Sequence, residues 1–192
     1  MIPYKKEKID NAICFFAKEH KRKTGKYLYQ TFLYKYLAFL EFNMLKKTGH
    51  PVFDLDFHAF EHGPVPVEIY NKRKRLENDL YKFDETKIRE FDDKIGYIVI
   101  SKREPDLDYF SDNEIKEMND LITIFATTYT TAKTISDVSH KNIEAWKKTW
   151  KINPYGLMNQ DYTFSEDLFS KPENSLNFAE ECYLTYKAIQ SA

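Results

Sequence analysis

Glycine is scarce in this chain, five residues in 192, and none of the five belongs to a phosphate-cradling run. That excludes the glycine-rich loops of nucleotide-binding enzymes. Gly25, Gly49 and Gly63 fall at the ends of predicted helices, which accounts for them structurally. Cysteine is scarcer still. Cys14 and Cys182 lie far apart inside apolar, helix-like segments, with no C-x-x-C pair, so they read as reduced, buried thiols. No run of about 18 apolar residues occurs, and the opening "MIPYKKEKID" lacks the apolar core of a signal peptide. A cytoplasmic protein with no membrane segment is expected. Charge of one sign is also missing, since 29 basic residues meet 30 acidic ones and leave a net −1. No overall field draws the chain to nucleic acid or anionic lipid. The local basic runs "KEHKRKTGK" and "NKRKR" read as solvated faces.

What is present suits a packed interior. Hydrophobic residues make up 42% and charged residues 31%, and Phe and Tyr number 15 and 14, so aromatic packing should dominate the core. The economical architecture is mainly α: a single helical domain over residues 1–192, with a small two-stranded β hairpin near the middle. Apolar spacing predicts helices over 5–20 and 26–47, the second with a broad stripe from Leu28 to Met44. A short helix is expected from the Asp54–Asp56 region through Glu61, stopped by Gly63-Pro64, and another over 65–76 with Pro66 in its first turn. Two strands around a polar turn at Asp92-Asp93-Lys94 should occupy 83–102. Ser111 and Glu114 form a capping box that opens the next helix. Two short helices follow over 131–140 and 142–150, then a long loop over 152–174 and a last helix from Ser175. Its buried face should carry Leu176, Ala179, Tyr183, Tyr186 and Ile189.

Three chemical readings compete. "HAFEH", His58 to His62, fits the inverted zinc-peptidase pattern, with two imidazoles at helical spacing, Glu61 beside a bound water and Glu144 as nominal third ligand. Against it, the predicted helix is too short to mount a rigid metal site, and Phe57 and Phe60 read as core anchors. Adjacent Ser139 and His140 do not establish a nucleophile and base, and a histidine there more often bonds a carbonyl or caps a helix. The helices over 27–47, 55–61 and 65–76, followed by the hairpin, suggest a winged-helix DNA-binding regulator. Its third helix, however, begins "VPVEIYN", without base-reading side chains in its first turns.

The residues from Phe57 to Tyr70, "FHAFEHGPVPVEIY", resemble the signature of the SocA-like or Panacea antitoxin domain, also known from phage-associated GepA-like proteins. Phe57, Ala59, Phe60, Gly63, Pro64, Val65, Pro66 and Tyr70 fit it, with Phe60 where tryptophan is more usual. A second block, "SHKNIEAWKKTW", resembles the family's Ser-His and Ala-Trp pairs through Ser139, His140, Ala145 and Trp146. The order of the motifs also matches over about residues 5–150, leaving 151–192 as a loop and a helix packing on that region. The resemblance implies a non-enzymatic protein without cofactor or metal. It implies an antitoxin of a toxin–antitoxin or mobile-element module that neutralises a cognate toxin by direct contact. Because some members resemble adaptors, it also implies an ATP-dependent protease as a second candidate partner, to which the toxin would be brought. The positions of His58, Glu61 and His62 are variable in that signature. Glu68, Tyr70 and Arg73 are candidate toxin contacts, with the loop over 152–174 as a further one. The motif residues themselves are expected to pack a core, and His140 to tie the two blocks by a hydrogen bond.

Overall fold

A computed structural model describes residues 2–89 and 92–191. The chain opens with α1 (Lys5–Thr24), a two-residue strand β1 (Leu28–Tyr29) and α2 (Gln30–Thr48). Almost every residue of α2 from Phe32 to Leu45 is buried, so this helix is enclosed on all sides and serves as the axis of the core. Phe16 of α1 stacks on Tyr36 with ring centroids 4.8 Å apart. Gly49 ends α2 in the left-handed region at φ 75°. A Cβ there would lie 2.2 Å from the Ala179 carbonyl oxygen, so glycine also permits the close approach of the C-terminal helix.

The return from α2 is fixed by a buried carboxylate. Glu41 is fully buried and accepts the backbone N–H groups of Val52 (2.9 Å), Phe53 (2.8 Å) and Leu55 (3.4 Å). Burial pushes its carboxyl up to about 7, although those three donors act in the opposite direction.

The helix expected through Glu61 does not form. Residues 57–66 instead make a hairpin of β2 (Phe57–Phe60) and β3 (Gly63–Pro66), paired from Phe57–Pro66 to Phe60–Gly63. The reason is a period of two: Phe57 and Ala59 are buried, while His58 and Phe60 are half-buried. Distant chain completes the arrangement on the outer edge of β2. Tyr155 N–H donates to the Ala59 carbonyl at 2.9 Å, Ala59 N–H to Gly156 at 2.9 Å, and Met158 N–H to Phe57 at 2.8 Å. Pro66 therefore ends a strand, and helix α3 spans only Val67–Lys72 before a 3-10 turn over Arg73–Arg75.

The central strands appear as expected, β4 (Tyr81–Arg89) and β5 (Asp92–Ser101), and with β1 they form an antiparallel sheet of order β1-β5-β4. Asp92, Asp93 and Lys94, expected in the turn, begin β5, while Glu90 and Phe91 lie outside the described residues. Helix α4 (Asp112–Phe125) opens with the capping box of Ser111 and Glu114, both halves made. Its Met118, Leu121, Ile122 and Phe125 pack on α2, with Phe125 stacked on Phe39 at 5.1 Å. Then follow α5 (Ala132–Asn142), α6 (Glu144–Ile152), and a segment holding 3-10 turns at Gln160–Thr163, Leu168–Ser170 and Glu173–Ser175. Helix α7 (Phe178–Ser191) begins after Ser175, and buries Ala179 and Tyr183 but leaves Ile189 exposed. The fold is mainly helical. Among the described residues no helix is long and apolar enough to cross a membrane. Both cysteines are free, Cys14 buried and Cys182 partly so.

Candidate functional site

Three elements converge at Gly63. It adopts φ 100°, and an added Cβ would lie 2.5 Å from Ser139 Oγ of α5 and 2.7 Å from Lys35 Cε of α2. The glycine thus serves both the hairpin's left-handed geometry and the meeting of β3, α2 and α5. Ser139 is fully buried and its hydroxyl donates to the Ser136 carbonyl at 2.7 Å. Lys35 is only 1% exposed, and its Nζ donates to the Pro64 carbonyl at 3.1 Å. Burial pushes this ammonium down to about 7, because removing it from water penalises the charged form.

The turn between α5 and α6 forms a second wall. The His140 and Trp146 rings stack at 3.9 Å and 7°, and Trp146 stacks on Trp150 at 5.6 Å and 10°. Trp146 Nε1 donates to the Phe60 carbonyl at 3.0 Å, and Ala145, fully buried, lets α6 approach β2. The two motif blocks are therefore tied by a hydrogen bond, but the donor is Trp146 rather than His140. His140 contributes the stack, and its Nε2 is shielded from solvent without a partner among the described residues. Its imidazole is shifted toward the neutral form by burial, then by the Lys35 charge and His62, against the opposing pull of Asp137.

Between these walls runs a groove of about 630 Å³ whose lining includes Tyr34, Lys35, Phe60, Tyr70, His140 and Tyr155. Tyr70 packs edge-on against Tyr34 (6.3 Å) and Phe60 (5.7 Å), and Tyr155 against Phe60 (5.6 Å) and Trp150 (5.3 Å). The Arg73 guanidinium sits 3.8 Å over the Tyr70 ring, a cation–π contact, and donates to the Tyr70 carbonyl.

The candidate residues are thus divided. Phe60, Val65, Tyr70 and His140 line the groove, with Gly63, Pro64, Ser139, Ala145 and Trp146 as its frame. Phe57 and Ala59 are core, and Pro66 pairs with Phe57 behind it. Glu68 does not join Tyr70 and Arg73. It pairs with Lys72 at 2.6 Å and lines a separate cavity with Lys5, Ile9 and Ile69.

The geometry required by the zinc reading is absent. His58 lies in a strand, with Nδ1 2.9 Å from the Tyr155 carbonyl oxygen, whereas His62 belongs to the Glu61-His62 turn, so no helical face carries both imidazoles. Glu144 is engaged with Lys147 at 2.5 Å. Among the described residues no group of three His, Cys, Asp or Glu side chains is arranged to hold a metal ion. The winged-helix reading loses its helices too, because 55–61 holds a strand and the supposed reading helix is six residues long.

Sequence reasoning passed over Lys35, Tyr34, Trp150 and Tyr155. Lys35 did leave a signal, a lone cation inside "FLYKYLAFL" with apolar or aromatic neighbours on both sides. Tyr155 left none, since its place depends on a pairing with Ala59 nearly a hundred residues away.

The family model described as "Antitoxin SocA-like, Panacea domain" matches residues 33–147, from within the buried part of α2 to just past Trp146. No curated protein and no solved structure matches the chain.

Proposed function

The chain belongs to the SocA-like, Panacea-domain antitoxin family, and from that premise we propose that it neutralises a cognate toxin by binding it in the groove between α2, the β2–β3 hairpin and α5–α6. The observation that carries the reading is the coincidence of family motif and groove. The Gly63-Pro64-Val65 and Ser139-His140 blocks meet at Lys35, and the cleft they frame is walled by Tyr34, Phe60, Tyr70 and Tyr155. Tyrosine is well suited to such a surface, because it offers a large, stiff contact area and a polar tip at low entropic cost. Arginine and tyrosine together are the side chains that most often anchor protein interfaces, and Arg73 over Tyr70 supplies that pair.

Neutralisation in this reading is non-enzymatic: the groove occupies a toxin surface and holds it by contact. Blocking and delivery to an ATP-dependent protease differ in the toxin's lifetime, which falls only if a protease is engaged. Co-expression with the toxin encoded by the neighbouring gene tests the reading. The chain is expected to restore growth and to co-purify with that toxin. Absence of both rescue and complex contradicts it.

A further inference from the structure

The head of the groove holds polar groups with unused hydrogen-bonding capacity. An ammonium group carries three N–H bonds. Lys35 uses one of them, on the Pro64 carbonyl, and forms no ion pair among the described residues although it is 1% exposed. His140 Nε2 is likewise shielded and unpartnered. Both side chains line the same groove, and Gly63 packs against the Lys35 side chain and against Ser139, which neighbours His140. A buried cation with unused donors is costly, and a ligand that brings an acceptor removes the cost.

We propose that Lys35 and His140 form a receiving site for a carboxylate, and that its occupant is an aspartate or glutamate side chain of the toxin. The proposal rests on the reading of this groove as the toxin-binding surface and adds the chemistry of the anchor. The ligand's charge is set by what else faces the groove. Lys133 and His62 line it, but so do Asp137 and Glu61. A phosphate, with nearly two negative charges, would add to the two carboxylates, which the Lys133 ammonium and the buried Lys35 ammonium together only balance. A single carboxylate matches the one buried ammonium, Lys35, and the tyrosine walls suit the apolar part of an acidic loop.

Both tryptophans of the chain, Trp146 and Trp150, belong to the stack that begins at His140, so intrinsic tryptophan fluorescence reports on this site. Acetate titrated into the free protein at constant ionic strength, with chloride as the balancing anion, should change that fluorescence saturably. Lys35→Met, which keeps the length of the side chain without its charge, should abolish the response while folding normally by circular dichroism. His140→Phe keeps an aromatic ring for the stack but removes the ring nitrogen that would donate to the carboxylate. It should weaken acetate binding about tenfold, the equivalent of one hydrogen bond to a charged group. The proposal is overturned by an unresponsive wild type, by an undiminished response in Lys35→Met, or by saturation with inorganic phosphate and not with acetate. The titration contains no toxin, so its failure leaves growth rescue, the test of the antitoxin reading, unaffected.

Discussion

Lys35 and Glu41 are ionisable side chains carried on the same buried helix, and folding shifts their protonation in opposite directions. The carboxyl of Glu41 is raised to about 7 and the ammonium of Lys35 is lowered to about 7. For Lys35 the unfolded chain holds the proton up to about pH 10.5, the folded chain only to about 7. Between those values the unfolded state binds more protons, so stability rises with pH. Glu41 acts the other way and in a lower window. Its folded form holds a proton up to about 7, so stability falls as pH rises from about 4.5 to 7. His20, lowered to about 4 by burial, offsets much of that fall, and Cys14, raised to about 11, acts only above 9. The window from pH 7 to 9 therefore isolates Lys35 among these four. The unfolding midpoint of the wild type should climb across it, and that of Lys35→Met should stay flat; parallel curves would contradict the assignment. Gly63 supplies a second test. Gly63→Val places a branched side chain at φ 100° and against Lys35 and Ser139, and should cost about 2–4 kcal/mol in urea unfolding. The need for glycine at this position was legible in the sequence, but its setting was not. The residue lies at a hairpin turn rather than a helix end, and its nearest neighbours come from α2 and α5.

Among the elements, the long helices and the capping box were readable because their signals are local: apolar residues over many positions, and a serine and glutamate three apart. The β2–β3 hairpin was not. "FHAFEH" supports a helical i,i+4 reading as easily as alternation, and a run of six residues is too short for periodicity to decide. The deciding partners lie elsewhere, in the Tyr155–Met158 backbone on one edge and in Trp146 of α6. That long-range dependence yields a prediction. Trp146→Phe preserves an aromatic stack on His140 but removes the N–H donated to the Phe60 carbonyl. It should cost about 1–2 kcal/mol, the usual effect of losing one partnered hydrogen bond in a shielded place. Amide hydrogen exchange should locate the loss, with Ala59 N–H, bonded to Gly156, exchanging faster than in the wild type. Unchanged protection there would mean that α6 does not hold the hairpin in place.

At the scale of the molecule, a buried helix, a hairpin and a helix–turn–helix enclose a cleft, and the motifs that define the family are spent mostly on building it. Phe57, Ala59, Ser139 and Ala145 face inward, and Tyr70 and Tyr155 are among the side chains that line the walls. The surface was therefore only partly legible: Phe60, Val65, Tyr70 and His140 belong to the motif blocks and line the groove, whereas Tyr34, Lys35 and Tyr155 lie outside those blocks. The central claim is that the toxin binds in this groove, and the affinity of the purified complex measured by calorimetry tests it most directly. Tyr70→Ala, verified as folded, should weaken binding about a hundredfold, as expected of an aromatic anchor at an interface centre. Ile189→Ala, at an exposed position on α7, should leave it unchanged. Wild-type affinity in Tyr70→Ala, with a loss in Ile189→Ala, would place the toxin on another face and contradict the account.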